Sequence, residues 1–191
     1  MPYRSKIFVS PSIFILSIFL SCFANSEQKH LVKEPADYRT NDYRSAVPLT
    51  VKGAKVIDSA QQLQSFLHKN EDSILLDTFP APHRPNNFPT NDLWIEPERE
   101  TLPGALWLAN TGMGILPEEL EVLLTTQLKQ LTSNDKQRNV IIFCEPACWH
   151  SWNAAKRATS YGYSNIFWYR QGVTGWQQAG FPVTVQQPVR P

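Results

Sequence analysis

A chain of 191 residues, 42% of them hydrophobic, can form one well-cored domain but is short for two. The formal net charge is +1 and no basic stripe follows any candidate helix, which sets nucleic acid aside as a partner. Of the 3 cysteines, Cys144 and Cys148 share one short loop, which moves the balance there from an inert core residue towards chemistry.

From the amino terminus, Arg4 and Lys6 lead into an apolar run from Ile7 to Phe23, and small residues precede a cut after Ala24. This reads as a secretory signal over 1–24, which implies a periplasmic or secreted protein. The apolar run is short for a membrane span and polar sequence follows directly, so no stable span is expected once the signal is removed. Leu20-Ser21-Cys22 leaves lipid attachment at Cys22 as an alternative. With the cut after Ala24, Cys144 and Cys148 remain, in an oxidising compartment.

Residues 25–45 are polar, mixed in charge and aperiodic, and are expected as a flexible lead-in to a domain over 46–185, with a tail at 186–191. Ala54 to Asp58 predicts a strand, and Ser59 caps a helix with Leu63, Phe66 and Leu67 on one face. Ser73 to Asp77 is a strand apolar enough to be covered on both faces, closed by an acid. Residues 78–103, with prolines at 80, 82, 85, 89, 97 and 103, show no period. They predict a long loop, either a wrap over the sheet edge or a binding loop offering His83, Arg84 and Trp94.

Gly104 to Ala109 predicts another strand, and Asn110 to Gly114 a glycine-rich turn without phosphate-binding spacing. Pro117 opens a helix with Leu120, Leu123, Leu124, Leu128 and Leu131 on its buried face. Strands at 140–143 and 165–170 flank a helix over Ser151–Tyr161 that Gly162 ends. The alternation predicts an α/β fold, a parallel five-stranded sheet with helices on both faces. Ligands of such sheets sit beyond the carboxyl ends of the strands.

Cys144 lies at such an end, at the start of the loop Cys144-Glu-Pro-Ala-Cys148-Trp149-His150. Loop amides and the positive end of the following helix would push its thiol below the free value of about 8.5, towards the reactive thiolate. Cys148 is then the resolving partner and His150 the nearby base or orienting group. A local disulfide requires the two Cα atoms to come within about 7 Å. Asp77 ends its strand beside the same site, as a catalytic acid or as a turn cap. Trp149, Ser151, Trp152 and Arg157 are candidate substrate-binding residues. The tryptophans form a stacking wall for a flat ligand or pack structurally, and Arg157 reaches towards Asp77 or solvent.

The order Leu75-Leu76-Asp77, Leu102-Pro103-Gly104-Ala105, a strand ending in Cys144, and Gly175-Trp176-Gln-Gln-Ala179-Gly180-Phe-Pro182 resembles a rhodanese-like domain. More narrowly, Cys148-Trp149-His-Ser-Trp152-Asn-Ala-Ala-Lys-Arg157 and Gly162-Tyr-x-x-Ile-Phe-Trp168-Tyr169 resemble the exported CXXCW-motif proteins associated with PQQ-dependent alcohol catabolism. The first resemblance implies that Cys144 takes sulfane sulfur as a persulfide in a loop that usually carries an arginine. This loop holds neither arginine nor lysine, adds Glu145, and loses one N–H to Pro146. Each departure weakens anion binding and points away from ordinary thiosulfate transfer, with a persulfide on Cys144 still open. The narrower resemblance implies a functional link to PQQ and, as partner, a quinoprotein alcohol dehydrogenase or its cytochrome c.

Three readings follow: a thiol protein with Cys144 as persulfide- or disulfide-forming nucleophile, a non-catalytic partner or maturation module, or a Cu or Zn site built from Cys144, Cys148 and His150. No cofactor is firmly implied, and the Cys-x-x-Cys-His pattern of covalent haem is absent.

Overall fold

The computed structural model of the chain describes residue 1, residues 32–85 and residues 87–191. The expected signal, its cut after Ala24 and Cys22 lie outside the described residues. Among those described, no helix is long and apolar enough to cross a membrane. In chain order the elements are β1 (Lys55–Ile57), α1 (Ala60–Lys69), β2 (Ile74–Asp77), β3 (Arg99–Thr101), β4 (Leu106–Trp107) and α2 (Glu118–Leu131). They continue with β5 (Val140–Phe143), α3 (Trp149–Ser160), β6 (Ile166–Tyr169), α4 (Gly172–Gln178) and β7 (Thr184–Gln186).

The short apolar runs pair as a five-stranded parallel sheet in the order β1-β6-β5-β2-β4. Side chains alternate across it, as strand geometry demands. Ile74, Leu76, Val140, Ile142, Ile166 and Trp168 join one core with Leu124 and Leu128 of α2 and Trp152 and Ala155 of α3. Leu75, Ile141, Phe143, Phe167 and Tyr169 join a second core with Leu63 of α1 and Val173 and Trp176 of α4. Each fully buried aliphatic or aromatic side chain contributes about 1.5–3 kcal/mol, so the stability of the sheet rests on two covered faces. Asp77, Phe143 and Tyr169 lie in register at the carboxyl end.

The expected helix cap is present, with Ser59 Oγ accepting from the Gln62 amide at 3.1 Å. Elsewhere the structure refines the reading. The strand expected over 104–109 is reduced to Leu106–Trp107, because it pairs only with Leu76 and Asp77 at the sheet edge. The helix expected from Ser151 starts two residues earlier, with Cys148 at its N-cap. Within the proline-rich segment, β3 pairs antiparallel with β7, and the tail continues back to the sheet, where the Val189 N–H donates a hydrogen bond to the Trp107 carbonyl.

The lead-in expected to be flexible up to residue 45 is seated on α3 from Pro35 onward. Asn153 brackets Arg39, accepting from its amide at 2.9 Å and donating to its carbonyl at 2.8 Å. Lys156 Nζ donates to the Pro35 carbonyl at 2.9 Å, the Trp149 amide to the Tyr43 carbonyl at 2.9 Å, and the Trp152 indole to the Thr50 carbonyl at 2.9 Å. An aperiodic polar stretch can be fixed in this way because its partners are backbone groups, which need no apolar face.

Candidate active site at the carboxyl end of the sheet

The end of β5 delivers Cys144 to the mouth of the sheet, and the loop returns Cys148 to it. Ala147 adopts the left-handed conformation at φ 51°, which tightens the turn and places the two Cα atoms 6.5 Å apart. The two sulfurs are joined in a disulfide. Both are shielded, with Cys144 0% and Cys148 1% exposed. The Cys144 carbonyl accepts from the Val173 amide at 3.0 Å and from Arg99 at 3.2 Å. Gly172, at φ +54°, lets α4 approach this closely, since a Cβ there would run into that same carbonyl.

Ser151, in the first turn of α3, places Oγ 3.4 Å from Sγ of Cys144 and donates to the Cys148 carbonyl at 3.3 Å. The indole N–H of Trp168 donates to the same Oγ at 3.0 Å. The sulfur pair is therefore backed by a buried hydroxyl that is itself held from behind.

Beside the disulfide lies an ionic chain that runs from buried Asp77 through half-buried Arg99 to half-buried Glu145. Arg99 Nε bonds Asp77 at 2.7 Å and its terminal nitrogen bonds Glu145 at 2.8 Å, while the guanidinium stacks 3.9 Å from the centre of the Phe79 ring. Glu145 also accepts from the amide and hydroxyl of Thr174, at 3.0 and 2.6 Å. Asp77 further accepts from the Phe79 amide and the Thr101 hydroxyl. Burial pushes the Asp77 carboxyl above its ordinary range, and the Arg99 charge offsets only part of that. With two carboxylates already on it, Arg99 has no spare charge for an anionic donor. A cavity of about 400 Å³ opens in front of this chain, lined by Phe79, Arg99, Trp107, Glu145, Val173 and Gln177, without a cysteine in its wall.

Of the residues singled out from sequence, Cys144, Cys148 and Ser151 meet at the sulfur. Asp77 reaches that site only through Arg99, and acts as an ionic anchor and turn partner. His150 stacks on Tyr43, with ring centres 4.5 Å apart, and its Nδ1 is buried without a hydrogen-bond partner among the described residues. Burial, then the Arg44 charge, lowers its pKa to about 4, which leaves it neutral. Trp149 and Trp152 are buried edge to face against each other, and their indole N–H groups donate to the Ser45 hydroxyl and the Thr50 carbonyl. Arg157 reaches neither Asp77 nor solvent. It donates to the carbonyls of Met113 and Gly114 at 3.0 and 3.1 Å and fastens the glycine-rich turn.

His83 approaches Arg190, and Arg84 and Trp94 contact Phe88. In the disulfide state neither sulfur is a thiolate, so the Cys144, Cys148 and His150 set offers no soft ligands for Cu or Zn. Sequence reasoning missed Arg99 and Trp168 as site residues. The one available signal for Arg99 was its place three residues ahead of Leu102-Pro103-Gly104-Ala105.

A parallel sheet of this order with a cysteine closing its central strand defines the class. The rhodanese-like domain model matches residues 59–179, and the chain belongs to the rhodanese-like domain family. Among solved structures, the chain is similar to the 30 kDa polysulfide-sulfur transferase homodimer from Wolinella succinogenes. Identity is 18%, the alignment covers 70% of this chain and 80% of that one, and the TM-score is 0.44. No significant match was found among curated protein sequences.

Proposed function

We propose that the protein is a periplasmic rhodanese-like thiol protein in which Cys144 and Cys148 cycle between disulfide and dithiol, with Cys144 as the persulfide- or disulfide-forming nucleophile. The observation that carries this reading is the Cys144–Cys148 disulfide just past the carboxyl end of β5, the side of a parallel sheet on which ligands sit. A short loop disulfide suits an exported protein. The resemblance to the proteins of PQQ-dependent alcohol catabolism, here with three residues between the cysteines, suggests a quinoprotein alcohol dehydrogenase or its cytochrome c as partner. Intact mass of the exported protein before and after reductant tests the reading. A gain of two hydrogens on reduction, followed by faster alkylation of Cys144 than of Cys148, is expected. Slow and equal labelling of the two would count against it.

A second reading, a non-catalytic partner or maturation module, draws on the burial of both sulfurs and on the spent charge of Arg99. It predicts that a Cys144→Ser variant still supports alcohol oxidation in cells. Loss of that support favours thiol chemistry.

A further inference from the structure

Trp168 and Ser151 form a relay whose last hydrogen has two destinations. An indole N–H can only donate, so at 3.0 Å it occupies Ser151 Oγ as an acceptor. The hydroxyl hydrogen is thereby left to the other side of the oxygen, where the Cys148 carbonyl stands at 3.3 Å and Sγ of Cys144 at 3.4 Å. A disulfide sulfur is a weak acceptor, and the carbonyl takes the bond. A thiolate is a strong one, because bonds to an ionised partner are about twice as strong as neutral ones. All the groups involved are buried, with Ser151 2% and Trp168 1% exposed, so water does not compete. The Arg99 guanidinium, paired with Asp77 and Glu145, touches the carbonyl of Cys144 and not its sulfur, and the carbonyls of Glu145 and Cys148, 3.8 and 3.7 Å from Sγ, can only accept, which leaves the hydroxyl as the donor beside it.

We propose that Ser151 is the hydrogen-bond donor that receives the charge on Cys144 when the disulfide opens, and that Trp168 is the positioning residue that aims it. This rests on the thiol reading above and adds the direction of exchange. When an incoming thiolate attacks Sγ of Cys148, a new S–S bond forms there and the Cys144–Cys148 bond breaks. The released electron pair stays on Sγ of Cys144, where the hydroxyl turns from the carbonyl to meet it. A second thiolate then displaces Cys148 from the mixed disulfide, and the external thiols leave as their own disulfide. In reverse, the Cys144 thiolate attacks Sγ of Cys148 in the mixed disulfide, closes the Cys144–Cys148 bond and expels the external thiolate. The N-cap position of Cys148 supplies no competing side-chain bond in this structure.

The test is the pH profile of alkylation at each cysteine in the reduced full-length protein, resolved by peptide mass spectrometry. In the unsubstituted protein, Cys144 is expected to titrate below a free thiol. Ser151→Ala should move the Cys144 midpoint up by about one to two pH units and leave Cys148 in place, with Ser151→Thr restoring it. Trp168→Phe should move it part of the way, and carries the test alone if Ser151→Ala does not fold. A low Cys144 midpoint that neither variant moves overturns the relay while the thiol reading stands. A Cys144 midpoint at the free value, or a disulfide that resists reduction in the folded protein, overturns both.

Discussion

Arg99 is one guanidinium serving three acceptors, and its removal strands two carboxylates. Asp77 is fully buried, so Arg99→Met should cost about 3–5 kcal/mol in urea unfolding, the range for an uncompensated buried charge. Adding Asp77→Asn should recover part of that loss, because the orphaned charge goes with it. His150 sets a different expectation. Its folded-state pKa of about 4 lies below the ordinary 6.5, so as pH falls through that interval the unfolded chain takes up a proton that the folded one refuses. The stability His150 contributes is present above pH 6.5 and lost on the way down to 4, about 3 kcal/mol over the interval. Unfolding followed at pH 7 and pH 4.5 should show most of this loss. His150→Phe, which keeps the stack on Tyr43, should flatten it.

At the scale of elements, α3 faces two ways: its first turn carries Ser151 to the sulfur, and its Trp149, Asn153 and Lys156 hold residues 35–43 in place. Asn153 is fully buried, and its amide is committed to Arg39 and Gly112. Asn153→Ala should therefore cost about 2–3 kcal/mol through the backbone groups it leaves unpaired. Hydrogen exchange should quicken over 35–43 before it does in the sheet.

The same elements show why legibility in the sequence was uneven. Ile74 to Leu76 and Val140 to Phe143 announce themselves as strands because burial on both faces demands unbroken apolar runs. Cys144 at the end of one of them was readable for the same reason. Residues 34–50 carry no such signature, since many of their contacts are made by backbone carbonyls and amides, which a residue of any type supplies. β3 and β7 are three residues each, below the length at which alternation can be told from chance, so Arg99 was hidden with them. Arg157 misled because helical spacing says which face a side chain lies on but leaves open which carbonyls a long guanidinium finds.

For the whole molecule, the disulfide closes only a short loop, the cysteines being four residues apart. In the chain-entropy model such a loop contributes about 2 kcal/mol, small against two covered sheet faces. Reduction should therefore lower the unfolding free energy by about that much and leave far-UV circular dichroism unchanged, so that a folded dithiol state exists for the chemistry proposed above. Collapse of the fold on reduction would make the bond structural. The β3–β7 ribbon carries one more implication. Arg99 sits in a strand whose ladder partner among the described residues, Thr184–Gln186, pairs with it across 83 to 87 positions of chain. During synthesis β3 has no ladder until residues 184–186 have been made, so the strand that holds the countercharge of Asp77 is fastened after β2 and β5 are already available to pair.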